Sequence, residues 1–305
     1  MSISLRFAEP SDAEALHSVI REAFAARPPV DPPAAALSDT VESVRDAIEA
    51  GYGILLERDG APIAGLLVAV DGDTARLCRV SVVPAAAGSG VGFQMVSATL
   101  TALADLGFRQ VEAVARHEFP HNIAWWERAG FAQRRPTKNG VVLARALPVA
   151  VQVPDAEAMR RLGQKLAQVL RAGDVIVATG ELGAGKTTLT QGIGEGLDVD
   201  GPVISPTFVL SRIHPSRGSG PGLVHVDAYR LSSADELADI DLQSTLATSV
   251  TLVEWGAGLA EWLSDEPLAI DIQRSDDPAD DQRTVYLTGL GQRWAGVLDQ
   301  FREFA

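Results

Sequence analysis

The sequence holds one cysteine, Cys78, in 305 residues, which excludes an internal disulfide and fits a reducing compartment. Cys78 lies in an apolar stretch, and the reading there is a small buried side chain rather than a reactive thiol. No apolar run reaches the roughly 18 residues that a spanning helix needs, so no membrane partner is expected. The opening Met1-Ser2-Ile3-Ser4-Leu5-Arg6 lacks the layout of a signal peptide, and a cytoplasmic location is expected. Positive charge is also scarce: 26 Lys and Arg against 40 Asp and Glu leave a formal net charge of −14. The deficit is uneven. Residues 1–147 carry 14 basic and 17 acidic side chains, residues 148–305 carry 12 and 23. The second half should therefore repel a polyphosphate backbone at long range, and autonomous binding of nucleic acid is not expected of it.

What is present suffices for two domains, each with a sizeable core, at 46% hydrophobic residues. A break is read near Pro148, giving domains 1–147 and 148–305. Before it, Thr137-Lys138-Asn139-Gly140 reads as a hairpin turn leading into a strand from Val141 to Leu147. After it, an apolar stretch, Val149 to Val153, precedes a helix opened by Asp155, with Met159, Leu162, Leu166 and Val169 at helical spacing. In the first half, Ser11-x-x-Glu14 reads as a capping box before an amphipathic helix. Ile54–Leu56 pairs with Ile63–Val70 as a hairpin, and Arg76–Val83 is a further strand. Pro28–Pro33, His214–Gly222 and the acidic Asp276–Asp281 read as loops. The second half alternates strand and helix, which predicts a largely parallel sheet. The fold class is α/β: a mixed sheet with helices, then a second α/β sheet.

The segment Gly180-Glu181-Leu182-Gly183-Ala184-Gly185-Lys186-Thr187 fits G-x-x-x-x-G-K-[ST]. It follows the apolar run Val175–Ala178 and precedes a helical pattern to about Leu197. Glycines let consecutive N–H groups converge on an anion, and a helix N-terminus adds partial positive charge. Gly183, Ala184, Gly185, Lys186, Thr187 and Thr188 are thus the candidate nucleotide cradle. Lys186 can reach β- and γ-phosphates, and the Thr187 hydroxyl can join a Mg²⁺ shell.

Two carboxylates fall at the ends of later apolar strands, Asp227 after Leu223–Val226 and Glu254 after Thr251–Val253. Sheets of this class bind ligands at strand carboxyl ends, so both should converge on one nucleotide. One would hold Mg²⁺ and the other would orient or activate the attacking water; the sequence leaves the order open. Lys186, Asp227 and Glu254 are the catalytic candidates, and Thr187, Asp227 and Glu254 the metal candidates. Ser205-Pro206-Thr207-Phe208 lies where γ-phosphate-sensing threonines lie in other nucleotide hydrolases, which makes Thr207 a candidate nucleotide contact, with a strand-entry turn as the alternative. Arg230 is read as reaching phosphate or a partner surface, and Trp255 as core or a pocket wall.

In the first half, Val83-Pro84-Ala85-Ala86-Ala87-Gly88-Ser89-Gly90-Val91-Gly92 joins a strand to a helix, and its N–H groups can hold a pyrophosphate. A strand from Phe108 to Val114 follows, then Asn122-Ile123-Ala124-Trp125-Trp126-Glu127-Arg128-Ala129-Gly130-Phe131. With these pieces, residues 1–147 resemble the GNAT family of N-acetyltransferases. The resemblance implies acetyl-coenzyme A held by Val83, Gly88, Ser89, Gly90, Val91 and Gly92. Ala87 stands where the family usually has Arg or Gln, and Trp126 where it often has a proton-donating tyrosine. Glu112, His117 and Glu118 are candidate general bases, each with a solvated surface role as the alternative. A catalytically silent, cofactor- or partner-binding module is the other reading of this half.

In the second half, G-E-L-G-A-G-K-T-T, S-P-T-F, H-V-D-A-Y-R-L and V-E-W occur together over residues 154–290. This half resembles the TsaE family, the small ATPase of bacterial tRNA threonylcarbamoyladenosine synthesis. The resemblance implies ATP with Mg²⁺ as cofactors and the threonylcarbamoyltransferase subunits TsaD and TsaB as partners, with tRNA met only indirectly. Glu181 replaces the usual loop Asp, and the aromatic usually seen soon after S-P-T-F is absent, with His214 nearby. The alternative is a small-molecule P-loop kinase. Such kinases supply several lid arginines, whereas this half has Arg160-Arg161 as its one arginine cluster.

Overall fold

The computed structural model describes residues 3–207, 209–275, 277 and 280–304. Met1, Ser2, Phe208, Asp276, Pro278, Ala279 and Ala305 lie outside the described residues, and with them Phe208 of the S-P-T-F segment and part of the stretch Asp276–Asp281 expected as a loop. The chain divides into two compact units, Met1–Leu147 and Pro148–Ala305.

The first unit runs β1 (Ile3–Ala8), α1 (Ala13–Ala25), α2 (Val41–Ala50), β2 (Tyr52–Arg58), β3 (Ala61–Asp71), β4 (Thr74–Val82), α3 (Val91–Asp105), β5 (Gln110–Arg116), α4 (Pro120–Arg128), β6 (Ala132–Thr137) and β7 (Gly140–Ala146). Its seven strands lie in the order β1-β2-β3-β4-β5-β7-β6. All neighbours are antiparallel except β4 and β5. That parallel pair is short. It holds from Thr74↔Gln110 to Leu77↔Ala113, while β4 continues to Val82 and β5 to Arg116. Beyond Leu77 the two strands part, leaving a cleft edged by backbone.

Three local readings change here. The capping box at the first helix joins Glu9 and Asp12 around a short 3₁₀ turn, and Ser11-x-x-Glu14 does not form one. The hairpin loop is Lys138-Asn139, because Gly140 already pairs with Thr137. β1 and α2 had no counterpart among the expected elements. Helix α2 is capped reciprocally by Thr40 and Ser43, and serine at N3 departs from the usual Glu or Gln signature.

The second unit runs β8 (Val149–Val153), α5 (Ala156–Ala167), β9 (Val175–Gly180), α6 (Lys186–Gly196), β10 (Ser211–His214), β11 (Gly222–Asp227), α7 (Ala234–Ala238), α8 (Gln243–Leu246), β12 (Ser249–Glu254), β13 (Leu268–Arg274) and β14 (Arg283–Gly289). The strand order is β10-β11-β12-β9-β13-β14-β8. Strands β11, β12, β9 and β13 are mutually parallel, whereas β10, β14 and β8 join antiparallel. The expected largely parallel sheet is thus a parallel centre with antiparallel edges. Helix-bearing cores cover both faces, so the central strands are buried throughout. That explains their unbroken apolar runs and makes their few polar residues conspicuous.

Helix α5 begins where Asp155 accepts a hydrogen bond from Ala158 N at 2.7 Å. It presents Met159, Leu162 and Leu166 to the core and ends at Ala167, before Val169. It packs backbone-close on α6: a Cβ at Gly192 would lie 2.1 Å from Arg160 O, and one at Gly163 2.4 Å from Leu189 O. This contact fixes the helix that follows the phosphate loop. Gly192→Ala is expected to destabilise the chain by about 1–3 kcal/mol through overpacking, read as a lower midpoint in urea denaturation.

Candidate functional site

The loop after β9 turns on glycines in the left-handed region: Gly180 (φ 137°), Gly183 (φ 79°) and Gly185 (φ 114°). A Cβ at Gly180 would lie 2.5 Å from Ile272 O, whereas one at Gly183 would meet open space. Gly185 is the N-cap of α6 and has no side chain to bond the helix's free N–H groups, which stay available to an anion. Lys186 is buried and folded back over its own loop, donating from Nζ to Gly180 O at 2.7 Å and Glu181 O at 3.0 Å. Its ammonium also lies 3.8 Å from the centre of the Trp255 ring. Burial pulls the Lys186 pKa below the usual lysine value, opposed by Glu254 and then Asp227. Thr188 lies half-buried on the first turn of α6 and Ala184 is buried beneath the loop.

Asp227 and Glu254 end adjacent parallel strands and are register partners, and Glu254 in turn pairs with Ala178 of β9. They are 4% and 3% exposed, values that for a carboxylate demand hydrogen-bond donors. Glu254 Oε1 accepts from Thr187 Oγ1 at 2.9 Å and is 2.8 Å from His225 Nε2. Asp227 accepts from the Thr207 hydroxyl, from Ser205 Oγ at 3.2 Å and from Tyr229 N at 3.1 Å. The structure therefore joins Lys186, Thr187, Thr207, Asp227 and Glu254 at one strand end. Trp255 lies beside Lys186 and packs edge-on against Tyr229, with ring centroids 5.2 Å apart. Arg160 and Arg161 lie on α5.

His225 stood in the H-V-D-A-Y-R-L motif without an assigned role. The missed signal is its spacing: two residues before Asp227 on a strand, it shares that carboxylate's face. His214, read as the start of a loop, is the last residue of β10 and is buried; burial, its largest influence, pulls it below the usual histidine range.

The donor set fits a nucleotide with a hard cation. Thr187, Asp227 and Glu254 offer oxygen only, and the open space at Gly183 beside a free helix N-terminus suits a phosphate chain. Among the described residues no group of three His, Cys, Asp or Glu forms a cage. Mg²⁺ takes few protein ligands and completes its shell with phosphate and water, so two carboxylates and a hydroxyl are enough.

In the first unit a cavity of about 1210 Å³ occupies the parting of β4 and β5. Gly88, Gly90, Val91 and Gly92 line it at the N-terminus of α3, with Trp125 and Trp126 of α4 on another wall. Gly88 (φ 75°) and Gly90 (φ 82°) are left-handed, and Gly90 caps α3 without a side chain. This set fits a pyrophosphate-bearing ligand. Val83 and Ser89 are not among the lining residues: Val83 packs with Val19 and Ala86, and Ser89 Oγ bonds Ala86 O at 2.7 Å. Glu112, His117 and Glu118 do not line the cavity either. Glu112 pairs with Arg76 and Arg135, and Glu118 with Arg116. Cys78 lines the cavity half-buried, and burial pushes its thiol up despite Arg79 and Arg76.

A family model described as Threonylcarbamoyl adenosine biosynthesis protein TsaE matches residues 153–285, and one described as Acetyltransferase (GNAT) family matches residues 15–131. The tRNA threonylcarbamoyladenosine biosynthesis protein TsaE of Streptomyces coelicolor is 59% identical over 139 residues, covering 45% of this chain and 94% of that protein. Proteins of the same name from Mycobacterium tuberculosis and Bacillus subtilis are 50% and 37% identical, covering 40% and 47% of this chain and 77% and 87% of their own lengths.

The Asp227 cluster yields a stability test. Thr207→Val removes a hydroxyl donor from a buried carboxylate and is expected to cost about 1–3 kcal/mol in urea denaturation, with Thr207→Ser close to the parent.

Proposed function

The chain belongs to the TsaE family through its second unit and carries a GNAT-family domain ahead of it, and on that premise we propose that it is an ATP-hydrolysing accessory subunit of tRNA threonylcarbamoylation. In this reading it serves the enzyme that modifies the adenosine next to the anticodon, through protein contacts with TsaD and TsaB. The hydrogen bond from Thr187 to Glu254 carries the proposal, because it ties the phosphate loop to a buried acid on the neighbouring strand. Mg²⁺·ATP would supply the scissile phosphoanhydride and a Lewis acid that draws charge off its oxygens.

The chain's own residues divide the remaining work. Gly183, Ala184, Gly185 and the first turn of α6 would bind the phosphate chain through N–H groups, and Lys186 would leave its loop carbonyls for phosphate. Thr187 and Glu254 would sit on the metal side, a reading that their mutual bond supports. Asp227 is tied instead to Ser205 and Thr207, so it belongs to the segment that would respond to the terminal phosphate, and it would hold the water-directing position there. On this reading the two carboxylates that sequence alone left interchangeable take separate roles. A kinase reading is less well supported: Arg160 and Arg161, the one arginine cluster of this half, lie on helix α5 and not on a loop.

For the first unit we infer an acetyl-coenzyme A site in the β4–β5 cleft, with the loop 88–92 on the pyrophosphate. Backbone groups of β4 beyond Leu77 are the natural partners of an amide-bearing arm. N-acetyl transfer to an amine follows from the family. The specific observation that favours a binding module is that no Asp, Glu, His or Tyr is among the residues lining the cavity. Trp126 is buried edge-on between Trp125 and Phe131 and has no proton to give at neutral pH. Incubation with labelled acetyl-coenzyme A and a panel of N-terminal peptides separates the two: binding without transfer selects the module.

For the second unit, depletion of the protein is expected to lower threonylcarbamoyladenosine in bulk tRNA. The parent chain should restore it and Lys186→Ala should not. Purified with the synthase subunits, Lys186→Ala should lose ATP turnover by about a hundredfold or more. Unchanged modification on depletion, or full turnover by Lys186→Ala, would reject the proposal.

A further inference from the structure

His225 lies wholly buried in the middle of β11, with its Nε2 2.8 Å from Glu254 Oε1. A carboxylate accepts and does not donate, so the proton in this contact is on Nε2. The other ring nitrogen, Nδ1, has no partner among the described residues. The neighbouring strand positions are Leu223, Val224 and Val226, all fully buried. Packing alone therefore favours another aliphatic side chain at 225, which would bury no orphaned polar atom. Among the described residues the imidazole has one hydrogen-bond partner, and that partner is a candidate metal ligand.

Thr187 Oγ1 is the second donor to Glu254, and it uses the same oxygen, Oε1. Among the described residues Oε2 accepts no hydrogen bond, so both contacts set the carboxylate plane while leaving one oxygen for the site. The two donors are not equivalent. Thr187 is itself a candidate metal ligand, and a hydroxyl serving a cation is not free to hold Glu254. His225 has no such second duty, and its ring reaches Glu254 through only two side-chain torsions.

We propose that His225 is a positioning residue: its Nε2–H, directed at Glu254 Oε1 from the adjacent strand, orients the carboxylate toward Mg²⁺·nucleotide independently of Thr187. The inference rests on the nucleotide reading of this site and adds the residue that aims its acid. Groups that orient a ligand side chain from behind typically change metal affinity about 10–100-fold when removed.

The test uses the full chain, with a fluorescent mant-ATP titrated by Mg²⁺ and, separately, ATP turnover with the synthase subunits. Without Mg²⁺, His225→Leu should bind mant-ATP within about twofold of the parent, because the phosphate cradle is untouched. With Mg²⁺, its midpoint should rise about tenfold and turnover should fall by at least as much. His225→Gln, which returns an N–H donor at similar reach, should recover both to within about threefold. In a Glu254→Gln background, His225→Leu should add little, since the two act as one unit. The proposal is overturned if His225→Leu matches the parent in Mg²⁺ dependence, or if its effect is undiminished in the Glu254→Gln background. Should His225→Leu fail to fold by circular dichroism, His225→Gln and His225→Asn give the same comparison, because they differ in the reach of the donor. A parent chain that binds Mg²⁺·mant-ATP without hydrolysing ATP would reject the ATPase reading alone, and the coupling of His225 to Glu254 would still be read from binding.

Discussion

A carboxylate that is nearly sealed from water has to be held by donors, and Glu254 is held from two directions. Thr187 reaches it from the phosphate loop and His225 from the neighbouring strand. The contact with Thr187 depends on β12 lying directly beside β9, with Glu254 level with Ala178. The contact with His225 depends on the register of β11, which also sets Asp227 level with Glu254. A shift of either strand by one residue would turn these side chains to the opposite face. The close approach of α5 and α6 at Gly163 and Gly192 matters for the same reason, because it fixes where the loop presents Thr187.

The two units use one physical device for two ligand chemistries. In each, a strand delivers the chain into a glycine loop, and a glycine N-cap opens a helix whose first N–H groups lack a capping side chain. Such a terminus attracts phosphate whatever else the ligand carries. What differs is the surroundings. In the second unit the loop faces two buried acids and a lysine, which suits a metal-bound triphosphate. In the first it opens on a cleft between parting strands, lined by aromatic and aliphatic side chains and several arginines, which suits a long ligand with one phosphate-bearing end. Among the residues lining that cleft there is no Asp, Glu, His or Tyr, and Cys78 is the one thiol.

Local misreadings share a cause. Ser11-x-x-Glu14 and the Asn-Gly step are short patterns, and the chain satisfied the same turns one or two residues away with Glu9, Asp12 and the pair Lys138-Asn139. Capping and turn energies of about 1 kcal/mol are easily reassigned by tertiary contacts. The edge strands of the second sheet escaped the reading of a parallel sheet because alternation of strand and helix reports only the crossover-linked centre. Val83 illustrates the reverse case: it sits in a recognisable motif, yet its side chain is core.

The phosphate loop, the two strand-end acids and both family resemblances were legible in the sequence, since each is a contiguous pattern whose chemistry needs residues at fixed short spacing. Neither the separate hydrogen-bond partners of Asp227 and Glu254 nor the contact of His225 with Glu254 was legible. Those depend on which strands become neighbours and in what register, and so on contacts between residues 187, 207, 225, 227 and 254. Burial in the sheet centre then decides the outcome, because a charge removed from water there must take its partners from whatever the packing brings within reach.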